Sequence, residues 1–186
     1  MLETKGEVLK YLADTKSFFL VYHNHKETMA WAGIVLFVAL LTALFNIIDK
    51  IVPKPNSSGS FDCNIFATKF LLTLAIVFFA GIVGWYIQTQ FEARRFAASI
   101  NAACFRLTAE ILGSTSTELD LSKFFIMEES HEKKLQAYHY LPQRVLNEAD
   151  KMKERGIGTV TKLEIASYSI VFVGAIAMAA LIWFRY

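Results

Sequence analysis

Proline is scarce in this chain: only Pro53, Pro55 and Pro142 occur. The 62–113 stretch has none, and its last internal glycine is Gly84. Across 85–112 nothing breaks a helix, and Ala, Leu, Glu, Arg and Gln recur. The spacing therefore predicts one helix that begins as a membrane span and continues well past it. About 50 residues at ~1.5 Å rise give a rod of about 75 Å, against a hydrocarbon core of about 30 Å.

Cysteine is also scarce. Cys63 and Cys104 are separated by that whole apolar run, so they cannot pair within one chain, and no cysteine framework for a metal exists. Cys63 could bridge to a neighbour's Cys63 or stay a plain buried thiol.

Charge is missing from three long runs. The 29–48 and 165–184 stretches are each 20 residues without a charge, and 65–87 carries only Lys69. Near a helix end a lysine can reach the headgroups. All three runs meet the length of a bilayer-spanning helix. The 54% hydrophobic content and 16 phenylalanines leave too little polar surface for an ordinary soluble domain.

No span has a charged residue or a histidine near its middle, which argues against a proton-coupled transporter. A pore lined by Thr42, Asn46, Thr73, Ser167 and Ser169 stays open. The first 28 residues are no cleavable signal peptide, since Glu3, Glu7 and Asp14 interrupt any apolar core. Lipidation patterns are missing as well.

Phosphate-binding glycine loops, nucleophile elbows and zincin helices are missing too. Balanced charge beyond the membrane shows no nucleic-acid footprint. No catalytic residue, metal site or cofactor is expected, and the chain reads as a non-enzyme. Glu128-x-x-His131 has the spacing of a di-iron ligand pair but lacks the further ligands. A solvent face pairing Glu128, Glu129 and Glu132 with Lys133 and Lys134 explains it more cheaply. His139 sits between Tyr138 and Tyr140, consistent with packing.

What is present is an all-α membrane protein. It divides into an N-terminal amphipathic helix (1–27), a first span (28–48), an outer loop (49–63), a second span (64–88), a helical layer (89–158) and a third span (159–186). Val8, Tyr11, Leu12, Phe18, Phe19 and Tyr22 recur at helical spacing in the first segment. Asn24-His25-Lys26-Glu27 has the form of a capping box, which predicts a fresh helix start at the first span. His23 and His25 at this corner are expected to sit at the headgroup level.

The tail and the 88–164 segment hold 15 Lys/Arg against 4 on the other side. The positive-inside rule then places the N-terminus and the layer in the cytoplasm and the C-terminus outside. A bacterial inner membrane fits this layout. Asn56-Ser57-Ser58 would matter only in a eukaryotic lumen.

Small residues mark candidate packing faces: Ala80, Gly81 and Gly84 in the second span, and Gly174, Ala175 and Ala179 in the third. Beyond the membrane, Glu92, Arg95, Ser99, Arg106 and Glu110 fall within about 60° on a helical wheel. So narrow a polar stripe predicts a helix wrapped by others, some supplied by copies of the chain. A second helix is expected over 118–141, with a Phe124/Phe125 patch to dock a partner. A third is expected over 143–155, with Pro142 in its first turn and Gly156 at its end.

The expected function is a homo-oligomeric membrane module: a pore, a membrane-perturbing effector or a membrane-state sensor. Its partners would be membrane lipids and copies of itself. The alternative is a non-catalytic subunit or scaffold that docks a soluble cytoplasmic protein.

Overall fold

The computed structural model describes residues 4–52, 63–114, 124–126 and 141–184. Within them the chain is all-helical: α1 (Lys5–Ile51), α2 (Cys63–Gly113), α3 (Gln143–Glu154) and α4 (Lys162–Phe184). Three of these, α1, α2 and α4, are long and apolar enough to cross a membrane.

The expected new start at Asn24 does not occur, because α1 runs unbroken through 24–27. The capping box lies instead at Thr4 and Glu7. Thr4 N–H donates to Glu7 Oε2 at 2.9 Å, and Glu7 N–H donates to Thr4 Oγ1 at 3.3 Å. These bonds hold the Glu7 carboxyl below its usual range. Both tetrapeptides carry the same pattern, but only in the first does the cap residue, Thr4, lie outside the helix. At the second, no proline or glycine lies between Gly6 and Gly33 to stop the helix.

The structure forms two compact units. Unit 1 comprises Met1–Lys26 and Glu92–Thr159; unit 2 comprises Glu27–Phe91 and Val160–Tyr186. In unit 1, Val8, Leu12 and Phe19 of α1 meet Phe96, Ile100, Leu107 and Ile111 of α2. Both sets recur at four or seven residues, so each helix presents one apolar stripe. Val145, Leu146 and Ala149 of α3 close the core.

Pro142 stands one position before α3, and its carbonyl accepts from Val145 N–H and Leu146 N–H. Gly156 ends α3 with a φ of 87°. Its N–H donates to Lys153 O and the next N–H, of Ile157, to Met152 O, the paired bonds of a Schellman stop. Lys5 Nζ reaches Ser114 O at 3.3 Å, tying the start of α1 to the end of α2.

Unit 2 packs α1, α2 and α4 through Ile34, Phe37, Ile76, Val83, Val171 and Ile182. Outward it shows Phe70, Phe78, Trp85, Phe172, Val173 and Ile176, which suits a lipid solvent. Thr42, Thr73, Ser167 and Ser169 donate their hydroxyls to the carbonyl one turn back in their own helices. That is how hydroxyls are commonly satisfied in an apolar span.

Candidate functional site

The polar stripe on α2 has a specific counterpart. On α3, Arg144, Glu148 and Lys151 recur at four and three residues and share one face. Arg106 Nη1 lies 2.8 Å from Glu148 Oε1, and Arg144 Nη2 lies 2.9 Å from Glu110 Oε1. The two helices are thus joined by an antiparallel pair of bridges with opposite polarity. Lys151 Nζ adds a third contact, 3.2 Å from Glu148 Oε2.

Glu148 is the buried member, its side chain 8% exposed, whereas the Arg106 side chain is 42% exposed. A carboxylate so enclosed needs both cations. The Arg144–Glu110 pair is open to solvent and contributes on the order of 0–1 kcal/mol.

Of the remaining stripe residues, Ser99 is fully buried and donates to Phe96 O at 2.7 Å. Arg95 is half-buried and Glu92 exposed. The Arg95 carbonyl faces the turn that follows α3. A Cβ on Gly158, whose φ is 80°, would fall 2.9 Å from it. Glycine is therefore required twice over, for the backbone angle and for the approach. The stripe is thus divided: Arg106 and Glu110 are engaged by the chain's own α3, and Ser99 by its own helix.

Phe124 and Phe125 do not form an exposed patch. Phe124 is 1% exposed in the unit 1 core, and Phe125 is half-buried. Tyr11 meets both rings edge-on, at centroid distances of 6.5 and 5.1 Å, and the Arg144 guanidinium lies 5.9 Å from the Phe124 ring. Residues 124–126 are not helical, so the expected helix does not include them. The rest of 118–140, with Glu128, Glu129, His131, Glu132 and His139, lies outside the described residues.

The small residues of unit 2 separate into two groups. Ala80 and Ala175 are buried, and a Cβ on Gly174 would stand 3.0 Å from Leu41 Cδ1. Ala179 is half-buried. Gly81 and Gly84 face open space. Sequence reasoning missed Gly33, where a Cβ would meet the Tyr86 ring at 3.1 Å. A lone glycine in an apolar run carries no partner signal. It also missed the clasp by α3, although charges at 144, 148 and 151 on a short helix were legible.

Among the described residues no three His, Cys, Asp or Glu side chains converge on a metal-sized site. Cys104 is buried in unit 1, and burial pushes its thiol up to about 11 while Lys16 pulls weakly the other way. A thiol held protonated is a poor nucleophile. Comparison with family models, curated proteins and solved structures finds no match to this chain.

Proposed function

We propose that the chain is a homo-oligomeric membrane module in which α2 couples a cytoplasmic layer, unit 1, to the bilayer. The module acts as a pore, a membrane-perturbing effector or a membrane-state sensor. One observation carries this reading. Beyond its apolar stretch, α2 leaves Phe105 65% and Leu112 62% exposed. Seven residues apart, they share a face with Ala98, Ala102 and Ala109. That face lies away from the stripe held by α3, and Lys16 covers the Phe105 ring only in part, at 5.4 Å. Large apolar side chains grouped in water mark an interaction surface.

The mass of the solubilised particle tests the reading. More than one chain per particle is expected, with Phe105→Glu and Leu112→Glu reducing the mass to one. A single chain for the unaltered protein overturns it. Ion flux through reconstituted protein separates the pore from the effector and the sensor.

The Lys/Arg distribution supports a bacterial inner membrane with the N-terminus inside. A membrane-impermeant thiol reagent then labels the exposed Cys63 from outside the cell. The alternative, docking of a soluble cytoplasmic partner, loses Phe124/Phe125 as its anchor because Phe124 is buried.

A further inference from the structure

Unit 2 contains an apolar groove of about 390 Å³ between α1 and α2. Its walls are Leu40, Leu44 and Ile47 of α1 and Leu72, Ile76 and Phe79 of α2, with almost no polar surface. The helices meet tightly elsewhere, where Gly33 lets the Tyr86 ring approach. At the groove, branched and aromatic side chains replace glycine and hold the helices apart.

The depth of the groove follows from its surroundings. Trp183 Nε1 donates to Thr73 Oγ1 at 3.0 Å, and Lys69 Nζ lies 5.8 Å from the Trp183 ring. A tryptophan held this way beside a lysine, at the ends of two spans, marks the edge of the hydrocarbon core. Leu72 lies three residues and Phe79 ten residues along α2 from Lys69, hence about 5 and 15 Å further along the helix. The groove therefore lies towards this end of the hydrocarbon core.

The chemistry of its lining decides what can fill it. Without polar atoms the walls cannot orient a polar ligand, and an apolar cavity does not hold water. Interfaces that admit another helix in lipid are rich in small residues, whereas only Ala43 and Ala75 are small here.

We infer that this groove binds one acyl chain of a membrane phospholipid, from the leaflet nearest the α1–α2 connection. The chain lies along the membrane normal and fills the gap that the two helices leave. This site is separate from the Phe105/Leu112 face and does not depend on self-association.

The test uses full-length protein reconstituted with a phosphatidylethanolamine/phosphatidylglycerol mixture, re-extracted in detergent and weighed intact by native mass spectrometry. A retained phospholipid is expected. It should be lost in Ala43→Phe and Ala75→Phe, which fill the groove from its rim. It should persist in Val173→Phe, which adds a ring on an exposed face of α4. Circular dichroism on each variant confirms that the helices remain.

Two outcomes overturn the inference: no phospholipid on the unaltered protein, or equal retention by all three variants. A third also does so. If the groove-filling variants lower the number of chains per particle, the occupant is another copy. Should both alanine variants lose helix, a brominated phospholipid takes their place. It is compared on Phe79→Trp and Val173→Trp, and equal quenching at the two positions overturns the inference.

Discussion

Phenylalanine behaves differently in the two units. In unit 1, Phe19, Phe96 and Phe124 are buried in the core. In unit 2, Phe66, Phe70, Phe78 and Phe172 point outward, whereas Phe37 and Phe91 are buried. The same side chain costs free energy when exposed to water and nothing when exposed to hydrocarbon. Unit 1 therefore gains by covering its aromatics, and Phe18 and Phe105 are the rings it leaves exposed. Both units enclose a carboxylate: Glu148 in unit 1, beside two cations, and Glu164 in unit 2, 0% exposed. Unit 2 relies on close approach at Gly33 and Gly174.

The largest effect is expected on the side that depends on burial. Phe124→Ala removes a fully buried ring and should destabilise unit 1 by about 3 kcal/mol. Faster amide exchange at Ile100, Leu107 and Val145, with the amides of 165–184 unaltered, would be the signature. Equal change in both units would erase the contrast.

Next comes Gly158→Ala. The new methyl meets the Arg95 carbonyl in a left-handed backbone, at a cost of about 2 kcal/mol. Proteolysis at the 155–158 turn should rise, whereas Gly156→Ala, with no closer contact than 3.8 Å, should be milder.

Glu148→Gln weakens the α2–α3 clasp by about 1 kcal/mol, because Arg106 and Lys151 can both turn to solvent. A thermal melt at two salt concentrations checks this: the variant should lose most of the salt sensitivity seen in the parent. In unit 2, Gly33→Val should shift the melt in detergent by more than Gly81→Val does. Only the first meets a ring.

Smallest is the effect of Cys104. Its folded-state thiol is raised above the ordinary 9.0, to about 11, so the folded state resists ionisation. The stabilisation from a neutral buried thiol is present below pH 9 and lost as pH rises towards 11. Alkylation at pH 8 should reach the exposed Cys63 and spare Cys104. Rapid labelling of Cys104 would mean that unit 1 opens.

Much of this was legible in the residues. Absence of proline and glycine from 85–112, followed by Gly113, marked α2 through to its end at Gly113. Three long runs with at most one charge marked the apolar helices, since length and transfer free energy act locally. Pro142 and Gly156 bracketed α3 for the same reason. The capping pattern was present twice, and nothing local distinguished Thr4 from Asn24.

Other features required the folded chain. The polar stripe could be drawn on a wheel. That Arg106 and Glu110 meet Glu148 and Arg144 depends on where a helix more than 30 residues later comes to rest. Phe124 read as a surface patch because its cover, Tyr11, lies far away in sequence.

By itself, the sequence determined which stretches are helical and which suit lipid, since those follow from backbone chemistry and hydropathy within a few turns. Tertiary structure alone decided which aromatics are covered, which glycines are crowded and where α1 and α2 part. Each of these depends on the shape of a surface from another part of the chain.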